Sequence, residues 1–228
     1  VRERGNQLQA RAPSSRGRPS TGHSRMKIAI SGTYGTGKTT LARVLSERMG
    51  VPLVGARGMR DFLHEHMDGK ALTDCTPYEL MELGMRRFEE RVATEAASGE
   101  HFVSDGSTLN EWAYGLARRT LGIHPGDDRI RDASTADREA FDGVMAWMGR
   151  VFRDHAARSY DLIVHLPVEF PMAADGHRPV SDEYRKFSGD LLSSAPAELG
   201  LRMIQVSGPV DARAHAVLAA NHGRPVEP

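Results

Sequence analysis

Three glycines, a lysine and four threonines are packed between a short apolar run and a helical pattern in MKIAISGTYGTGKTTLARVLSERMG, residues 26–50. Gly32–Thr39 has the spacing glycine, four residues, glycine, lysine, threonine, in the strand-to-helix setting that this spacing needs. Glycine lets such a loop turn tightly, its successive N–H groups form a nest for an anion, and the following helix adds the positive end of its dipole. The ligand is therefore a phosphate chain. Gly32, Thr33, Tyr34, Gly35, Thr36, Gly37, Lys38, Thr39 and Thr40 are the expected contacts to ATP. Lys38 would reach the β- and γ-phosphates and the Thr39 hydroxyl would coordinate Mg²⁺.

A loop of this kind needs a sheet to stand on, and the sequence supplies one. Short apolar runs at 27–31, 51–54, 101–105, 161–166 and 202–206 read as strands. Helical patterns are expected at 38–49, from Pro77 after a Thr76 cap towards Ser98 and Gly99, and at 108–120, 135–158, 182–194 and 210–220. Strands alternating with helices predict an α/β fold: a mostly parallel sheet, covered by helices on both faces.

Composition narrows the setting. The 228 residues are 39% hydrophobic, and no apolar run approaches the ~18 residues of a membrane span, so no membrane partner is expected. The single cysteine, Cys75, precludes an internal disulfide and fits a reducing, cytoplasmic compartment. The formal net charge of +0 conceals an asymmetry, because residues 1–25 carry six arginines against Glu3. That segment contains almost no large apolar residue, so it is expected to be a dispensable disordered tail ahead of one domain, 26–228. A basic tail can mean nucleic acid or an anionic membrane, but its lack of apolar residues makes the disordered reading the stronger one, so nucleic acid is not the expected partner. Oligomeric state is not legible.

Two further segments bear on chemistry. The third strand ends FVSDGSTLNEWAYG, which brings Asp105 to the carboxyl edge of the sheet, where open α/β folds bind ligands. Asp105 there either holds Mg²⁺ through water or takes the proton of an attacking hydroxyl; a helix cap before Gly106 is the plainer alternative. Of the aromatic residues that follow, Trp112 reads first as core and second as a stacking platform. After the fourth strand, PVEFPMAADGHRPVSDEYRKFSGDLL excludes a helix before Asp182. Arg178 in this loop, with Arg185 and Lys186 on the next helix, suits either a lid that closes over a transferring phosphoryl group or an exposed turn.

These segments together resemble one branch of the P-loop kinases. It contains the nicotinamide-riboside kinase domain of the bacterial NAD-salvage regulator and related AAA-type ATP-binding proteins. The resemblance covers Met26 to about Ala220 and implies a five-stranded sheet in the order 2-3-1-4-5, with Asp175, Gly176 and Arg178 in the lid. One position departs from it. Where riboside-kinase relatives tend to have a glutamate after the second strand, VGARGMRDFLHEH has Arg57, with Arg60 in place of their arginine. That exchange of acid for base predicts a neutral or anionic acceptor rather than a pyridinium one.

Met49, Met59, Met67, Met81 and Met85 read as packing residues, and His155 and His165 as structural. His64 and His66, two apart on a helix, diverge and make a poor zinc pair. The function implied is an ATP- and Mg²⁺-dependent small-molecule kinase, with Lys38, Asp105 and Arg178 as its catalytic residues and Thr39 and Asp105 at the metal. A nucleotide-dependent switch acting through protein contacts is the alternative.

Overall fold

Five apolar runs, each too short for a helix, form one parallel sheet in the order β2-β3-β1-β4-β5. The strands are β1 Met26–Ser31, β2 Leu53–Val54, β3 His101–Asp105, β4 Leu162–His165 and β5 Met203–Gln205. The helices are α1 Lys38–Met49, α2 Met59–His66, α3 Pro77–Ala97, α4 Thr108–Leu121, α5 Thr135–Ser159, α6 Asp182–Glu198 and α7 Val210–His222. These come from a computed structural model that describes residues 26–122, 134–171 and 181–222. The basic segment 1–25 and Asp175, Gly176 and Arg178 lie outside the described residues.

Alternation along the central strand divides the core. Ile28 and Ile30 turn to one face, where Leu41 and Leu45 of α1 and Val217 of α7 cover them. Ala29 turns to the other, beneath Leu109 of α4 and Leu192 of α6. Every side chain named is at least 98% buried, so truncating one such as Ile30 to alanine should cost about 2–5 kcal/mol. The pairings Ile30 with Asp105 and Ser31 with His165 align the carboxyl ends of three strands, and the functional loops start from that edge.

Local chemistry sets the element ends. Gly37 and Gly50 bracket α1 at φ 89° and 64°, values that L side chains rarely adopt. At α3 the Thr76 hydroxyl accepts from Glu79 N at 3.2 Å, and the Glu79 carboxylate accepts from Thr76 N at 2.7 Å. β2 shrinks to two residues because Pro52 has no N–H for a ladder, although its carbonyl still accepts from Val103 N at 2.9 Å. α6 runs four residues past its expected end at Ser194, through Pro196, whose buried ring is part of the packing.

Two smaller apolar clusters stand beside the main core. Phe62, Leu63 and Met67 of α2 and its C-cap meet Leu83 of α3. Met81, Phe141, Met145, Met148 and Phe152 join α3 to α5. The methionines expected to pack do so: Met49 against the main core, Met59 and Met67 in the first cluster, Met81 and Met85 in the second. Among the described residues no helix is long and apolar enough to cross a membrane.

Candidate active site

The glycine-rich loop lies at the carboxyl end of β1 and is held from outside by its own carbonyls. Asn110 Nδ2 donates to Gly32 O at 2.9 Å, and the Tyr114 hydroxyl donates to the same oxygen at 3.2 Å. Arg185 Nε donates to Tyr34 O at 3.2 Å and Arg213 Nη1 to Thr36 O at 2.9 Å. Thr33 and Ser188 share a hydroxyl hydrogen bond of 2.7 Å. The loop is thus shaped before a ligand arrives, which lowers the ordering cost of binding. At Gly32, φ is 147° and a Cβ would lie 2.7 Å from Leu166 O, so only glycine fits.

Lys38 folds back over this loop, with Nζ donating to Thr33 O at 2.7 Å and to the Tyr114 hydroxyl at 3.4 Å. Tyr114 stacks on Tyr34 with ring centroids 4.3 Å apart and planes 9° from parallel. Tyr184 flanks both at 6.1 and 6.3 Å. Burial, followed by the neighbouring tyrosines, pushes the Tyr114 hydroxyl well above its ordinary 10, so it stays neutral and keeps its proton to donate.

Asp105 emerges at the end of β3 and lines the same cavity. Its backbone is fixed from behind, where Arg91 Nη1 donates to Asp105 O and to Ser104 Oγ, both at 3.0 Å. Ser104 Oγ donates to Glu95 at 2.8 Å, and Glu95 also accepts from Tyr160 at 2.9 Å and meets His155 at 3.1 Å. His155 is accordingly structural. Gly106 at φ 94° passes so close that a Cβ would lie 2.9 Å from Arg91 Nη2. Among the described residues no hydrogen bond is made to the Asp105 carboxylate or the Thr39 hydroxyl. Both are oxygen donors of the kind Mg²⁺ prefers, so the pair fits that ion. The described residues contain no group of three or more His, Cys, Asp and Glu able to hold a metal. A cation here would draw the rest of its shell from phosphate and water, as Mg²⁺ commonly does.

The cavity holding these groups measures about 980 Å³ and runs from the phosphate loop past Asp105 to the two smaller apolar clusters. Arg57 lines it, but not as a lone cation: it meets Glu90 at 3.0 Å and Glu65 at 2.9 Å, so the exchange of charge expected from the sequence is offset on the spot. Glu111 also lines it and is bound by Arg87 at 3.2 Å. Trp112 does not line it and packs in the core beneath the Arg153 guanidinium, 4.9 Å from its ring. Arg185, which the sequence suited to either a lid or an exposed turn, is a buried strut under the loop, and exposed Lys186 pairs with Asp190 at 2.7 Å. His165 is buried at the end of β4, and burial, then the Lys38 charge, holds its pKa below the ordinary 6.5. Arg178 lies outside the described residues.

Asn110, Arg87, Arg91 and Arg213 escaped the sequence reading. Arg87 and Arg91 sit one helical turn apart, a weak signal in hindsight, while Asn110 follows Asp105 as one polar residue among several. Nothing in the sequence separates Arg213 from the other arginines.

A family model described as an AAA domain matches residues 27–213. Among curated proteins, a shikimate kinase from Symbiobacterium thermophilum is 38% identical over 78 residues. That match takes in 34% of this chain and 42% of the relative, so the chain spans less than half of its length. Among solved structures, deoxyadenosine kinase from M. mycoides with bound dATP superposes at a TM-score of 0.61 and 14% identity, over 87% of this chain and 100% of its own. A NadR protein in complex with NR superposes at 0.58 and 18% identity, over 90% of this chain and 53% of the other. At such identities the likeness is one of fold, and the sheet order that the resemblance to P-loop kinases implied is the order found.

Proposed function

Given that the chain belongs to the AAA-domain family, we propose that it is an ATP- and Mg²⁺-dependent kinase. It transfers the γ-phosphoryl group to a hydroxyl or phosphate of a nucleoside-like or other small metabolite. The observation that carries this reading is the shared cavity: the phosphate loop, Lys38 and the unengaged Asp105 carboxylate face one space that extends well beyond a triphosphate. A nucleotide switch would not need the extension. The kinase names among its relatives agree with the reading.

In this mechanism the loop amides and Lys38 hold the triphosphate, Lys38 exchanging Thr33 O and Tyr114 for the β- and γ-phosphates. Thr39 and Asp105 would hold Mg²⁺, which would supply charge neutralisation for the phosphates. Asp105 either keeps that ion in position or accepts the proton of the attacking hydroxyl. Arg178 meets the charge that develops on the transferring group. Residues 1–25 take no part, and 26–228 act as one domain.

A screen of nucleosides, nucleotides and small alcohols for acceptor-dependent ADP formation tests the reading. Stimulation by an acceptor is expected. Hydrolysis that no acceptor alters would return the chain to the class of nucleotide switches.

A further inference from the structure

The part of the cavity beyond the phosphates changes character along α3. Pro77, Leu80, Met81 and Gly84 face it first, and Arg87 and Arg91 follow towards Asp105. At the helical rise of 1.5 Å per residue, Leu80 lies roughly 10 Å along the axis from Arg87. Opposite, α5 presents Phe141, Met145, Met148 and Phe152 on a single stripe, every one apolar. Along the α3 and α5 walls, one end is thus charged and the other is lined by thioethers, phenyl rings and aliphatic chains.

On α3 and α5 themselves, hydrogen-bonding side chains that line the cavity are confined to the Arg87 and Arg91 end; further charged lining groups, Arg60 and Asp61 of α2 and Arg118 of α4, stand on different walls, with the Arg118 guanidinium 5.8 Å from the Tyr184 ring. Asn110 is the one amide among the described lining residues, and both sides of it are committed. Its Nδ2 donates to Gly32 O, and its Oδ1 accepts from Ser107 N and Ser107 Oγ, each at 3.0 Å. A purine or pyrimidine placed between α3 and α5 would give up water at its ring nitrogens and exocyclic groups without replacement from either helix. Each such loss lowers affinity roughly tenfold or more. An aliphatic or aryl body loses nothing there, and methionines adapt readily to its shape.

Resting on the kinase reading above, we propose that the acceptor is a small alcohol with an apolar body poor in hydrogen-bonding groups. The body is seated between α3 and α5, and the hydroxyl lies at the Asp105 end. Gly84 sets the width of the seat, because a Cβ there would meet only Met148 Cε, at 3.8 Å, and a longer side chain would grow into the cavity.

The test uses phenylethanol and cyclohexylmethanol as apolar probes and adenosine and thymidine as polar ones. Thermal protection in the presence of MgADP reads binding, and ADP formation from MgATP reads turnover. The apolar alcohols are expected to protect and to be turned over in preference to the nucleosides. Gly84→Leu should raise the alcohol concentration for half-protection about tenfold or more, with protection by MgADP alone as the folding control. Should that variant not fold, Gly84→Ala, whose added atom stays in ordinary contact distance, gives the same comparison with a smaller change. Preference for adenosine or thymidine, no protection by either apolar probe, or protection indifferent to Gly84 would overturn the proposal. Protection by the apolar probes without ADP formation would uphold the apolar seat and overturn the kinase reading.

Discussion

Arg213→Met should both destabilise the protein and loosen its phosphate loop. Arg213 is 4% exposed, and its guanidinium spans three acceptors: Thr36 O at 2.9 Å, Gly208 O at 2.7 Å and the Glu169 carboxylate. These acceptors are not equal. Thr36 is 1% exposed, so its carbonyl would be orphaned without access to water, at a cost of about 1–3 kcal/mol. Gly208 and Glu169 can recover water, and the Glu169 side chain is already 22% exposed, so together they add only ~1 kcal/mol. Methionine keeps most of the arginine stem's packing, so no large cavity term enters. The total, about 2–4 kcal/mol, corresponds to a melting point lower by roughly 5–15 °C in a chain of this size. Arg213→Lys should recover less than half, because one ammonium cannot span three acceptors. Scanning calorimetry with and without MgATP measures both effects, and nucleotide affinity should fall alongside the melting point. A drop of less than about 2 °C with unchanged affinity would show that the loop holds its shape unaided.

Lys38→Ala should leave a folded protein that transfers no measurable phosphoryl group, since a cation aimed at the β- and γ-phosphates contributes ~3 kcal/mol or more in the transition state; residual turnover above about a tenth of wild type would contradict its role. Arg178→Ala should lower turnover more than about tenfold while altering nucleotide affinity little, because an arginine that arrives with closure acts in the transition state. Unchanged turnover would make it a surface residue. Folding holds His165 neutral below its ordinary 6.5, so the unfolded chain takes up a proton that the native protein resists, and stability should fall as pH drops through 6.5. His165→Gln should flatten that part of a stability-against-pH curve, and an unaltered slope would assign it to other groups.

What the sequence made legible follows from how locally each feature is determined. The start and end of α1 are set by Gly37 and Gly50, and the start of α3 by Thr76, Pro77 and Glu79, all within a few residues of chain. Those boundaries were readable. β2 was read too long because Pro52 acts on a ladder whose partner, Val103, is fifty residues away. α2 was read as a polar helical stretch without bounds: Phe62, Leu63 and Met67 reveal their purpose only against α3. The same division holds at the site. The loop and Asp105 carry a spacing and a strand end that can be seen in one dimension. Asn110, Arg185 and Arg213 act across 78, 151 and 177 residues of sequence, and only packing brings them to the loop carbonyls. Arg57 shows the converse, for its charge was visible and its partners Glu65 and Glu90 were not.

The most direct test of the central claim is to follow the γ-phosphoryl group itself. ATP labelled in that group is incubated with the protein, Mg²⁺ and the acceptor that best stimulates ADP formation, and the products are separated and identified by mass. The account predicts label in the acceptor, in amounts matching the ADP formed, and none when Lys38 is replaced by alanine. Label recovered only as inorganic phosphate, at a rate the acceptor does not change, would contradict it.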